Sequence, residues 1–236
     1  MKKKILSIAL ALSLVAIGVI GTLAYLTDDA GEMTNTFTVG KVSIKLDEGE
    51  VEAAELSEEN PYVYTFKDQE NTRTEEGQTY ENLLPGDKVQ KDPTITVEEG
   101  SADCWVFMEV TLDYDQAVIM AKAAGATAAT TDQANTAAAV LGDFDASKWT
   151  IKAYKQDADA NTITFVAGYN EILSEEDTAV LFTALTVPAS LTNEQMAAID
   201  GMEMVFFARA IQASGLATQA EAFEALYEGL GYTPAP

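Results

Sequence analysis

Histidine is absent from the 236-residue chain and cysteine occurs once, at Cys104. The first absence removes HExxH-type zinc proteases and both Ser-His-Asp and Cys-His nucleophilic catalysis, since each needs an imidazole. The second removes an intrachain disulfide. Cys104 lies far from the N-terminal apolar segment, so no lipobox cysteine follows that segment, and the residue reads as a small buried side chain in a strand. Basic residues are scarce: 14 Lys and Arg stand against 38 Asp and Glu, for a net charge of −24. Phosphate contacts need clustered Lys and Arg, so nucleic acid and anionic lipid are not expected partners.

The basic residues that do occur at the start have a purpose. Lys2, Lys3 and Lys4 precede an uncharged run from Ile5 to Leu23, and Thr22 and Ala24 place small residues before a cut. This is the form of a secretory signal peptide, residues 1–24, with cleavage between Ala24 and Tyr25. The run is also long enough to span a bilayer uncut. A retained anchor therefore stands as the alternative, and in both cases the protein is exported. Membrane contact is expected only through residues 5–23, before cleavage. Cleavage removes Lys2–Lys4 and no acid, leaving −27 on the mature chain. At its other end, Gly231–Pro236 carries neither a second apolar span nor a sorting signal.

After a flexible segment at 25–35, the chain from Thr36 onward reads as one β-domain, residues 36–236. Val42, Ile44 and Leu46 alternate with Ser43 and Lys45, the period of a half-buried strand over Phe37–Leu46. Asp47–Glu59 is acidic and reads as a solvated loop. Tyr62, Tyr64 and Phe66 alternate; Leu83-Leu84-Pro85-Gly86-Asp87 is a turn, with Pro fixing φ and Gly accepting a positive one. Thr94–Val97 and Cys104–Leu112 are strands, the latter the strongest in the chain. The Ala- and Thr-rich stretch at about 116–141 reads as an insertion, helical over Gln116–Ala124. Trp149–Lys155 and Thr162–Tyr169 form a hairpin, and Leu181–Val187 is a strand ended by Pro188. Thr192 with Gln195 and Thr218 with Glu221 are capping boxes. Met202–Gln212 is a long apolar strand between the two helices. Phe223, Leu226, Tyr227 and Leu230 share one face of the last helix. The pattern predicts a mainly β, antiparallel sandwich with helical insertions and a C-terminal helix.

Candidate chemistry is sparse. Asp157-x-Asp159-x-Asn161 opens like a calcium loop but has Thr162 where Gly is expected and Gly168 where the closing acid is expected, so a polar hairpin tip is the better reading. With 38 acids, no carboxylate pair for glycosidase chemistry can be singled out. Trp105, Phe107, Trp149, Phe165, Phe206 and Phe207 are expected in the core. Arg209, with Phe207 and Ile211 on the same strand face, is expected either to meet a buried acid or to sit at an edge.

Taken in order, several segments resemble the TasA/camelysin family of Gram-positive secreted proteins. They are Gly21–Asp28, Asn35–Val42, Leu84-Pro85-Gly86-Asp87, Lys91-Asp92-Pro93 and Cys104–Phe107, then Leu181-Phe182, Ala210–Ala213 and Glu221–Phe223. The resemblance implies a jelly-roll-like β-sandwich and processing by a SipW-type signal peptidase. It also implies self-association into extracellular biofilm-matrix fibres, the N-terminal segment of one subunit completing the sheet of the next. The candidate donor is Tyr25–Asn35, anchored by Tyr25, Leu26 and Met33, and no cofactor is implied. A monomeric cell-surface adhesion module, held by an uncleaved anchor, is the alternative. The metalloendopeptidase label borne by some family members is at odds with a chain without histidine.

Overall fold

The molecule is built around β7 (Cys104–Asp113), a ten-residue strand whose side chains are buried on both faces. A continuous run such as Cys-Trp-Val-Phe-Met permits this, because neither face needs water. In the computed structural model, which describes residues 41–67, 72–125, 140–141 and 143–235, β7 has β9 (Thr162–Tyr169) on one side and β12 (Met204–Gln212) on the other. β8 (Trp149–Asp157) pairs with β9, and β13 (Thr233–Pro234) with β8, giving the sheet order β12-β7-β9-β8-β13. The expected segments 1–24, 25–35 and most of the Ala/Thr-rich insertion, 126–139, lie outside the described residues.

Two four-stranded sheets make up the rest of the β-structure among the described residues. One has the order β10-β6-β1-β4, from β1 (Ile44–Gly49), β4 (Arg73–Thr74), β6 (Thr94–Val97) and β10 (Thr178–Val180). The other, β11-β5-β3-β2, contains β2 (Val51–Ala53), β3 (Tyr64–Phe66), β5 (Lys88–Gln90) and β11 (Ala184–Thr186). Pairing is antiparallel except between β3 and β5. The chain is thus mainly β, as its alternation predicts.

Each face of β7 belongs to a different core. Val106, Met108, Val110 and Leu112 pack with Ile95, Val97, Trp149 and Phe165 in the larger one. Trp105 and Phe107 face the opposite way, beneath α3 (Gln219–Tyr227), where Ala222 and Tyr227 cover them. That helix starts as its sequence dictates: Thr218 and Glu221 form a full capping box, as do Thr192 and Gln195 at α2 (Asn193–Ala198). A third helix, α1 (Tyr114–Ala123), follows β7 directly, with Asp113 as its N-cap.

Packing of α3 depends on a glycine. A Cβ at Gly168 of β9 would stand 2.9 Å from Cε1 of Phe107 and 2.8 Å from the Gln219 amide nitrogen. That amide donates to the Tyr169 carbonyl, so it is not free to swing away. Gly168→Ala is expected to lower stability by about 1–3 kcal/mol, the usual cost of overpacking, measured by urea unfolding.

Four expectations need correction. Asp47 and Glu48 do not lie in a solvated loop; they continue β1 and are buried at 6% and 7% exposure, and β2 follows within the same acidic stretch. Their charges are balanced by direct ion pairs with Arg73 and Lys91, which are distant in the chain. Of the Leu181–Val187 strand only Ala184–Thr186 forms one, β11, paired with β5; β10, paired with β6 in another sheet, ends at Val180, and the chain crosses between the two sheets around buried Leu181 and Phe182. Leu230 lies beyond α3 and is 40% exposed. Phe207 is not core: it is 53% exposed, on the side of β12 opposite Phe206.

Candidate functional site: the outer edge of the central sheet

The two ends of the five-stranded sheet are finished differently. At the β8 end, β13 pairs with Tyr154 and Ala153, the amide of Ala235 donates to the Lys152 carbonyl at 2.8 Å, and a bulge breaks the ladder at Ile151/Ala153. Short terminal strands and bulges of this kind blunt an edge against other chains. At the other end, β12 pairs with β7 residue for residue from Met204↔Leu112 to Gln212↔Cys104, and among the described residues no strand follows it. Among the described residues, no backbone hydrogen bond is made from Met204–Gln212 except to β7.

This edge is long and apolar. Its sequence, Met-Val-Phe-Phe-Ala-Arg-Ala-Ile-Gln, is free of acids in a chain of net charge −24. Period-2 alternation divides its side chains. Met204, Phe206, Ala208 and Ala210 face the larger core yet are only half-buried, so that core lies partly open along this edge. On the opposite face, Val205 and Phe207 are 55% and 53% exposed. Cα atoms of β1 come within 8 Å of those of β12.

One charge sits on the strand, and it is turned inward. Arg209 Nε donates to the Glu109 carboxylate on β7, diagonally across the ladder, where Glu109 opposes Phe207, while its guanidinium stacks over Phe207 at 4.9 Å and near Tyr227 at 5.6 Å. Glu109 is buried and also accepts from the Tyr232 hydroxyl at 2.9 Å. Burial and the Glu109 charge both push the phenols of Tyr227 and Tyr232 up, so they stay neutral. The Glu109 pairing places Arg209 with a buried acid and, at once, on an edge strand, combining both of its expected roles.

A second ionic cluster lies behind the other face of β12. Lys91 Nζ contacts the Glu48 carboxylate and stands 5.0 Å from the Phe206 ring and 5.7 Å from Tyr80. Next to it, Arg73 bridges Asp47 at 2.6 Å and Asp92 at 2.8 Å, and Asp92 accepts the Gly49 amide at 2.7 Å. The Lys91-Asp92-Pro93 segment thus builds the ion pairs that bring β1, β4 and β6 together beneath the edge strand. The Leu84–Asp87 segment is a closed turn: Gly86 has φ 97° and Asp87 accepts the Leu84 amide at 2.7 Å.

Of the residues singled out from sequence, Ala24, Tyr25, Leu26 and Met33 lie outside the described residues. Asp157 caps its own hairpin, accepting from the amides of Asp159 and Ala160 at 3.0 Å each. Asn161 takes the positive φ of that turn, 52°, and donates to Asp113 at 2.9 Å, tying the tip to the start of α1. Asp157 and Asn161 are therefore engaged as turn and cap residues, the geometry of a polar hairpin tip. Cys104 is fully buried, and burial pushes its thiol up to about 11. The edge itself was not marked in advance: nothing in Met202–Gln212 says which side of a sheet the strand will occupy. Comparison of the chain with family models, with curated proteins and with solved structures finds no match.

Proposed function

We propose that the chain is a secreted structural subunit of extracellular matrix fibres in which an extended segment of one copy adds to the β12 edge of the next. The observation that carries this reading is the nine-residue apolar edge strand without an outer partner among the described residues. Natural sheets blunt such edges unless they are used. Strand addition satisfies the outer amides and carbonyls of β12 and extends the cover over half-buried Met204, Phe206, Ala208 and Ala210. Main-chain hydrogen bonds supply affinity, and alternate side-chain positions supply selectivity.

The donor in this reading is Tyr25–Asn35, with Tyr25, Leu26 and Met33 as anchors, freed when a SipW-type peptidase cuts after Ala24. The sandwich would be jelly-roll-like and the assembly extracellular, in keeping with the TasA/camelysin resemblance. The role is non-enzymatic: a chain with no histidine lacks the imidazoles on which that family's metalloendopeptidase label would depend.

Negative-stain microscopy with light scattering tests the proposal on Tyr25–Pro236 and on a chain beginning at Thr36. Fibres from the longer chain alone support it. Monomers from both at high concentration sink self-assembly and favour the monomeric surface-binding module. Charge gives a second check. With −27 on the mature chain, subunits repel, and raising salt from 0.1 to 1 M shortens the screening length from about 10 to about 3 Å. Fibre growth, followed by scattering, is expected to accelerate over that range.

A further inference from the structure

The β12 sequence is complementary to itself, and we infer that two copies of this chain pair their β12 strands antiparallel about a two-fold axis through Ala208. This goes beyond the fibre reading, because a two-fold contact is closed: it makes a dimer and stops.

The register follows from elementary constraints. In an antiparallel pair, directly opposed side chains share a face, so both copies keep their core faces aligned only if residues of like parity oppose each other. Three such registers lie near the middle of the strand. Centring on Arg209 sets two guanidinium groups against each other, which opposed like charges disfavour. Centring on Phe207 leaves the last residues of the strand unpaired. Centring on Ala208 pairs all nine residues of Met204–Gln212. It sets exposed Val205 against the partner's Ile211, bulky Phe206 against the partner's small Ala210, and exposed Phe207 against the partner's Arg209. The last pair repeats between molecules the stacking of Arg209 on Phe207 already present within one, at 4.9 Å.

The charge pattern allows the approach. The chain is strongly acidic, but β12 has no acid, and its one cation is neutralised by Glu109 within the same molecule. The dimer occupies the same edge that the fibre reading assigns to a donor segment. It is therefore a capped form that protects the edge until a donor displaces it.

The test uses the freshly purified mature chain, Tyr25–Pro236. Val205→Cys and Ile211→Cys variants are prepared separately and then mixed under mild oxidation. Cross-linked dimer is expected on mixing and not from either variant alone, the native Cys104 being buried. In parallel, sedimentation velocity compares wild type with Phe207→Lys, which places a second cation against the partner's Arg209. That side chain is 53% exposed, so the subunit is expected to stay folded by circular dichroism. Dimer affinity is expected to fall roughly tenfold or more. No cross-link on mixing, or a wild-type chain that is monomeric until fibres appear, overturns the inference and leaves the fibre reading standing. Cross-linked dimers with no fibres under any condition do the reverse. Should Ile211→Cys fail to fold, the Phe207→Lys comparison decides alone: unchanged dimerisation overturns the inference.

Discussion

Replacing Lys91 by methionine is expected to destabilise the protein by about 3–5 kcal/mol, and replacing Glu48 by leucine in the same chain is expected to recover most of that loss. Lys91 and Glu48 are 6% and 7% exposed, among the few charged residues buried in the described structure. Taking both from water costs several kcal/mol per ion, offset only while each has the other. Lys91 Nζ has two aromatic faces, Tyr80 and Phe206, as its other close surroundings. These stabilise a cation but offer nothing to an orphaned carboxylate. With Lys91 gone, Glu48 remains near the Tyr80 phenol, whose proton is already held by burial and by the Glu48 charge. With both gone, a methionine and a leucine fill similar volume with no charge to desolvate. A double-mutant cycle by urea unfolding measures the coupling. A cost below about 1 kcal/mol for Lys91→Met would mean that the pair is solvated in solution.

Phe107→Ala is expected to cost a comparable amount, about 3–5 kcal/mol, and to loosen the C-terminal region more than the rest. Phe107 is fully buried on the face of β7 opposite the larger core. Its ring meets Tyr227 edge-on at 5.7 Å and Phe223 at 5.9 Å, the latter two stacked at 4.7 Å. Tyr227 in turn meets Tyr232 at 5.2 Å, next to β13. One ring therefore supports α3, and through it the short strand that closes the β8 edge. Removing it leaves a cavity under a helix of nine residues, too short to persist without that packing. Limited proteolysis should then cut within residues 214–235 at denaturant concentrations where the wild type resists. Uniform loss of stability, with no earlier C-terminal cleavage, would contradict this division of the molecule into two cores.

What the sequence discloses depends on how local the cause is. β7, the β8–β9 hairpin and β12 announce themselves through apolar runs and alternation, and α2 and α3 through capping boxes confined to four residues. By sequence Asp47 and Glu48 read as solvated, because an acid's usual partner is water. Their actual partners, Arg73 and Lys91, stand 26 and 43 residues away. The shortening of Leu181–Val187 to β11, with β10 ending just before it at Val180, reflects pairing with two different sheets, which no local period records. Phe207 reads as core by hydropathy alone, yet alternation with Phe206 requires one of the two rings to face outward. Arg209 did signal an unusual environment. Its acid, Glu109, is across the ladder in β7, a hundred residues earlier, and only register could name it. The edge position of β12 is likewise a property of topology.

The most direct test of the central claim is hydrogen exchange of the β12 amides that do not bond to β7, followed in the dilute monomer, where neither a donor segment nor a second β12 is paired with them, and in the fibres. The account predicts fast exchange before assembly and strong protection across Met204–Gln212 afterwards, with β7 and β9 protected throughout. Equal exchange of those β12 amides in both states, with fibres present, would show that this edge is not where copies of the chain join.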